Sequence, residues 1–131
     1  MIGLDTNVLV RYLTRDDPAQ FARVATQLEG AADRGERFVI SSVVLCELVW
    51  VLESAYGFGR DDIAGALDQI LATAQFEVEH PDEARQALAD FRATRADYSD
   101  ALVGRLHRTL GAEHTVTFDR LLKPLQTFRL I

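Results

Sequence analysis

Five acidic residues in this chain of 131 are the side chains best suited to chemistry. Asp5 ends the first apolar run, and Glu47 lies inside an otherwise apolar stretch. Asp97 and Asp100 are three residues apart, and Asp119 comes two residues after the segment Thr115 to Thr117. If these carboxylates converge in the fold, they would repel one another without a counter-ion. Their hard oxygens favour Mg²⁺ or Mn²⁺, so the first hypothesis is a divalent-cation site.

Each acid also has a purely structural explanation. Asp5 and Asp119 stand where a helix N-cap is expected, and Asp-x-x-Asp before an apolar helix is a possible capping arrangement. Glu47 is either one solvated position on a buried helix or a carboxylate with a cation partner, because a bare buried charge costs too much. Taken one at a time, the acids leave both explanations open.

The elements that must position these acids are short apolar strands alternating with amphipathic helices, the pattern of an α/β fold with a parallel sheet covered on both faces. We expect residues 1–131 to form a single domain. The predicted strands are Met1 to Leu4, Phe38 to Ile40, Phe76 to Val78, Thr115 to Thr117 and Phe128 to Ile131.

The acids recur at corresponding places in this pattern. Asp5 directly follows the first predicted strand, Glu47 lies one helical turn beyond the second, and Asp119 is two residues beyond the fourth. Ligands in open α/β sheets bind at the carboxyl ends of the strands. We therefore expect the acids to share one edge of the sheet.

Composition narrows the class of protein. The net charge of −6 argues against a passive nucleic-acid coat protein, but bound cations would reverse the sign locally. The single cysteine, Cys46, cannot form an intramolecular disulfide, and its apolar surroundings predict a small buried side chain. No signal peptide and no membrane-spanning run is visible, so we expect a cytoplasmic protein. The three histidines show no zinc-ligand spacing.

Four segments, in order, resemble the motifs of the PIN-domain family, and in particular the VapC toxins of bacterial toxin–antitoxin pairs. Ile2 to Leu9 resembles the opening motif, and Ser41 to Leu48 the second. Asp97 to Leu102 is similar to the third motif, usually Asp-Phe-x-Asp-Ala, although Tyr98 stands where phenylalanine is usual. Thr115 to Asp119 resembles the fourth, Thr-x-Asp.

The resemblance implies roles for particular residues. The acids that would form the catalytic metal site are Asp5, Glu47, Asp100 and Asp119. The residues that would orient these ligands or contact phosphate are Thr6, Asn7 and Thr117, and Asp97 would be an accessory acid beside the metal site. Candidates for an RNA-binding rim, each also explicable as a solvated helix face, are Arg11, Arg15, Arg92, Arg95, Arg105 and Arg108.

The resemblance also implies a fold and a function. The fold would be a three-layer α/β/α domain around a central five-stranded parallel sheet. The function would be Mg²⁺- or Mn²⁺-dependent endonucleolytic cleavage of RNA by a homodimeric toxin that a VapB-like antitoxin inhibits. The apolar segment Val43 to Leu52, with Trp50, is expected either to bury one side and offer the other to a partner or to be fully buried.

Two other functions remain possible from the sequence. A phosphatase or phosphotransferase also keeps an aspartate nucleophile after its first strand and would need a late lysine, for which Lys123 is the only candidate. A non-catalytic binding module of the same fold is the second alternative. Intact acids at all four motifs favour the nuclease over this second alternative.

Overall fold

The structure is a computed structural model that describes all residues from 1 to 131. It alternates short strands with helices. The strands are β1 (Ile2–Gly3), β2 (Phe38–Ile40), β3 (Phe76–Val78), β4 (Thr115–Thr117) and β5 (Phe128–Leu130). The helices are α1 (Thr6–Thr14), α2 (Pro18–Asp33), α3 (Ser42–Tyr56), α4 (Arg60–Ala72), α5 (Pro81–Ala93) and α6 (Tyr98–Thr109), with a 3₁₀ turn at Arg120–Leu122.

All strand pairs are parallel, which confirms the α/β prediction. The hydrogen-bonded ladders form a three-stranded sheet in the order β1-β2-β3 and a two-stranded sheet of β4 and β5. Two compact units result, an N-terminal unit over Met1–Glu79 and a C-terminal unit over His80–Ile131. The single five-stranded sheet, the three layers around it and the single domain over 1–131 stay predictions. No helix combines the length and the apolar character needed to cross a membrane.

In the N-terminal unit, β2 leads into α3 through Ser41. Phe38 and Ile40 are buried and point to the same side of their strand. Ser41 then caps α3, its hydroxyl accepting a hydrogen bond from the Val44 N–H at 3.2 Å. The helix ends where Gly57 adopts a left-handed conformation with φ 66°. Cys46, expected to be buried, is only half-buried because it lies at the edge of the core face of α3.

In the C-terminal unit, α5 and α6 pack against each other. The ring of Tyr98, the first residue of α6, is fully buried, lies 6.3 Å from that of Phe91 and donates its hydroxyl proton to the Ala84 carbonyl at 3.1 Å. Arg105 donates two hydrogen bonds to Asp90, both 2.8 Å long. The contacts of Tyr98 fix the N-terminal end of α6, where Asp97 and Asp100 lie, and the Arg105 bonds tie the later part of the helix to α5.

The close approach between α6 and β5 depends on a glycine. A Cβ atom at Gly104 would lie only 2.6 Å from Phe128 Cε2 and 2.7 Å from Thr127 Oγ1. Since β5 pairs with β4, this contact also sets the distance between α6 and the strand that leads to Asp119.

Candidate functional site

Asp5 lies two residues after β1 and occupies the N-cap position of α1. Its side chain is exposed and makes no capping hydrogen bond. The helix starts through the backbone instead, with the Asp5 carbonyl accepting from the Leu9 N–H at 3.3 Å. Thr6 is buried beside it and Asn7 is exposed. The capping explanation for the Asp5 carboxylate is therefore not supported by its contacts.

Glu47 lies on the exposed face of α3. Val43 and Trp50, four and three residues away on the same face, are 74% and 67% exposed, whereas Leu45 and Leu48 are fully buried. One side of the helix is thus core and the other is open, and the expectation of full burial is wrong. Glu47 reaches solvent directly, which explains how a carboxylate is tolerated in so apolar a helix.

Asp97, Asp100 and Asp119 lie near one another in the C-terminal unit. Asp97 is the N-cap residue of α6 without a side-chain capping bond, and Asp100 is in the first turn. Partial burial, and then the negative charges of Asp97 and Asp119, raise the pKa of the Asp100 carboxyl above its ordinary value. Helix α6 and the end of β4 therefore bring these three predicted acids within electrostatic reach of one another.

The turn after β4 holds Asp119 in place. Asp119 donates its N–H to the Thr117 hydroxyl at 3.0 Å. Its Oδ1 atom in turn accepts the Leu121 N–H at 2.9 Å, which caps the 3₁₀ turn. The capping explanation is therefore correct for Asp119. It occupies one carboxylate oxygen and leaves the other available.

The donor chemistry of the predicted residues fits a hard divalent cation. All are oxygen donors, and mutually repelling carboxylates gain from a cation between them. In neither unit, however, do three Asp, Glu, His or Cys side chains lie close enough together to hold a metal ion. The structure thus groups Asp97, Asp100 and Asp119 loosely, and the convergence of all the predicted acids on one metal remains a prediction.

A cavity of about 370 Å³ lies in the N-terminal unit beside Asn7. Its wall combines the apolar side chains of Leu4 and Val24 with the guanidinium-bearing Arg11 and Arg23. Arg11 hydrogen-bonds to the Tyr56 hydroxyl at 2.8 Å and pairs with a nearby carboxylate, so its position is fixed. The lining of the cavity therefore combines apolar side chains with cationic groups.

The arginines expected at an RNA-binding rim differ in their surroundings. Arg105 is committed to Asp90, and Arg108 reaches the Gln126 carbonyl at 3.3 Å. Arg15 lies over the Phe21 ring at 4.5 Å. Arg95 is exposed close to Asp97 in the chain. Arg105 therefore has a structural role that the sequence did not predict, and Arg95 is the better rim candidate.

Three residues with notable positions were missed by the sequence prediction. Glu79 directly follows β3, the same signal that singled out Asp5, and accepts the Ser42 N–H at 3.0 Å. Asp90 is buried and pairs with Arg105, which lies fifteen residues away and gives no local signal. Phe118, next to Asp119, is 81% exposed although its type suggested burial.

Comparison with known proteins assigns the family. The PIN-domain family model matches residues 2–125. A curated protein named VapC ribonuclease, from Aquifex aeolicus (strain VF5), is 28% identical over 122 residues, which cover 93% of this chain and 90% of that protein. No solved structure gives a significant match. The match to the family model spans nearly the whole chain and includes all four predicted motifs, so the chain belongs to the PIN-domain family.

Proposed function

We propose that this protein is a Mg²⁺- or Mn²⁺-dependent endoribonuclease and the toxin of a toxin–antitoxin pair. The observation that carries the proposal is the grouping of Asp97, Asp100 and Asp119 at the ends of α6 and β4, in a chain of the PIN-domain family. The similarity to a VapC ribonuclease supports RNA as the substrate. On the same grounds we propose a homodimer and inhibition by a VapB-like antitoxin.

The residues that would hold the cation are Asp5, Glu47, Asp100 and Asp119. When bound, the cation supplies a positive charge that lowers the pKa of water and stabilises the leaving oxygen of the cleaved phosphodiester. Asp100 is held by the first turn of α6, and Asp119 by its bond from Leu121. The backbone of Asp100 and the carboxylate of Asp119 are thus held in place before any ligand arrives.

The remaining predicted residues would orient the metal ligands or contribute to binding of the cation and the RNA. Thr117 holds the backbone of Asp119 through its hydroxyl. Asn7 is exposed two residues after Asp5 and is a donor for a phosphate oxygen. Asp97 adds negative charge next to Asp100, which strengthens the attraction for a cation. Arg95 supplies positive charge close by in the chain for the RNA backbone.

The proposal is tested by cleavage of total cellular RNA with and without Mg²⁺. We expect the parent to cleave and Asp5→Asn and Asp100→Asn to lose at least about a hundredfold in rate, as expected when a preorganised electrostatic group is removed. Asp33→Asn, at the exposed end of α2, is the control for a simple change of net charge and should cleave normally.

Circular dichroism must show that each variant is folded. Cleavage by Asp5→Asn and Asp100→Asn at the parent's rate would refute the assigned site. Absence of cleavage by the folded parent with either Mg²⁺ or Mn²⁺ would refute the nuclease itself. A trapped aspartyl-phosphate would favour the phosphotransferase alternative, and a failure to bind any divalent cation would favour a non-catalytic module.

A further inference from the structure

Phe118 is an exposed aromatic side chain placed directly beside a predicted catalytic acid. It lies between Thr117, the last residue of β4, and Asp119, and 81% of it is exposed. A phenylalanine in this state forgoes the favourable burial that its ring would gain in a core. The Cα atoms of Phe118 and Asp119 are consecutive and so about 3.8 Å apart, which places the exposed ring in the same turn as the predicted metal ligand.

The backbone around Phe118 is fixed by hydrogen bonds on both sides. Thr117 accepts the Ile131 N–H at its carbonyl, at 3.0 Å, and the Asp119 N–H at its hydroxyl. Asp119 accepts the N–H of Leu121 at its side chain and that of Leu122 at its carbonyl. The ring is therefore presented from a rigid turn, so little backbone freedom would be lost when it binds a ligand.

We infer that Phe118 is a stacking platform for a base of single-stranded RNA next to the bond that is cut. The inference rests on the proposed function and adds a substrate-binding residue to it. Bases in single-stranded RNA stack on exposed aromatic rings, and such stacking tolerates different bases because each has a flat π face. An acidic protein also needs a binding contribution that does not depend on net charge, and stacking supplies one.

Another exposed apolar side chain in the same unit provides a matched control. Leu110 is 84% exposed, as open as Phe118, but it follows the C-terminal end of α6. It is ten residues of helix, about 15 Å, from Asp100. Its replacement removes exposed apolar surface without touching the neighbourhood of the acids.

The experiment compares Phe118→Ala, Phe118→Leu, Phe118→Tyr and Leu110→Ala with the parent on one labelled single-stranded RNA. Loss of a stacked base weakens binding roughly 5- to 150-fold, so the KM of Phe118→Ala and of Phe118→Leu should rise within that range, with a smaller change in kcat. Phe118→Tyr and Leu110→Ala should keep the parent's KM. Leucine is the decisive substitution, because it retains an apolar side chain but cannot stack.

A second measurement follows binding without cleavage. With Ca²⁺ in place of Mg²⁺, the fluorescence of RNA containing 2-aminopurine should be quenched by the parent and by Phe118→Tyr, and less by Phe118→Leu. Unchanged KM and quenching in Phe118→Leu would overturn the inference. So would sedimentation showing that Phe118→Ala converts a dimer into a monomer, since the ring would then be a contact between copies.

Failure of the stacking inference can be told apart from failure of the proposed function. If Asp100→Asn is inactive while Phe118→Leu behaves as the parent, the proposed nuclease activity is supported and the stacking role of Phe118 is refuted. If the folded parent cleaves no RNA with either metal, the nuclease falls. The 2-aminopurine measurement then decides by itself whether Phe118 stacks on RNA.

Discussion

Replacement of Gly104 by alanine reverses the usual rule for glycine inside a helix. Alanine in a helix interior is normally more stable than glycine by about 1 kcal/mol. Gly104 has an ordinary helical backbone rather than a positive φ, so a larger residue is disfavoured there only by the lack of space. A Cβ atom there would lie 2.6 Å from Phe128 Cε2, 2.7 Å from Thr127 Oγ1 and 3.0 Å from Thr127 Cβ.

These distances set the magnitude of the effect. Non-bonded carbon atoms are most stable about 3.5–4.0 Å apart, so the two carbon contacts are short by roughly 0.5–1.4 Å. Overpacking of this kind costs about 1–3 kcal/mol. The upper end applies because the Cβ atom of Thr127 is tied to the backbone and cannot rotate away. After subtraction of the helix-propensity gain, Gly104→Ala should lower the free energy of unfolding by about 2 kcal/mol.

Gly65→Ala is the matched control. Gly65 lies inside α4, and a Cβ atom there meets nothing within 4 Å. This variant should gain about 1 kcal/mol, so the two glycine substitutions should differ by about 3 kcal/mol in urea unfolding followed by circular dichroism. A Gly104→Ala protein as stable as the parent would refute the reasoning. Phe128→Leu in the Gly104→Ala background should restore part of the loss.

Two further predictions concern charged residues. The first concerns the metal-free protein in EDTA. Because the pKa of Asp100 is raised, the folded chain holds the proton of this carboxyl more tightly than the unfolded chain does. The contribution of Asp100 to the free energy of unfolding therefore falls as pH rises above about 4. The free energy of unfolding of Asp100→Asn, measured in urea, should therefore rise relative to that of the parent between pH 4 and 7. A difference between the two proteins that does not change with pH would contradict this. Arg105→Ala leaves the buried Asp90 carboxylate without its two bonds and should cost about 1–3 kcal/mol, whereas the exposed Arg95→Ala should cost less than about 0.5 kcal/mol.

Local signals in the sequence predicted most of the secondary structure. Ser41 as a cap and Gly57 as a stop bound α3 where the structure has it, because both act on backbone groups within a few residues. Pro18 likewise begins α2. The strands β2, β3 and β4 coincide with short segments rich in β-branched and aromatic residues, which favour strands. These features depend on neighbours in the chain, which a single sequence contains.

Contacts between residues far apart in the chain could not be predicted from these local signals. Glu79 binds the Ser42 N–H across 37 residues, and Asp90 pairs with Arg105 across 15. Neither pair has a periodic spacing that would identify it. The division of the strands into ladders of three and two also depends on backbone pairing rather than on apolar character. For the site, strand ends identified candidate acids, but only the structure placed Asp100 near Asp119.

At the N-cap positions, some aspartate side chains accept a helix N–H and so stabilise the fold, whereas others make no such bond and are available for another role. Asp17 and Asp119 both accept a backbone N–H, whereas Asp5 and Asp97 occupy equivalent positions without such a bond. A side-chain cap contributes about 1 kcal/mol, a gain that Asp5 and Asp97 do not make. For Asp119 the bond occupies one oxygen and orients the other, so capping and metal binding are compatible roles. For Asp5 the structure removes the structural explanation that competed with a role in metal binding.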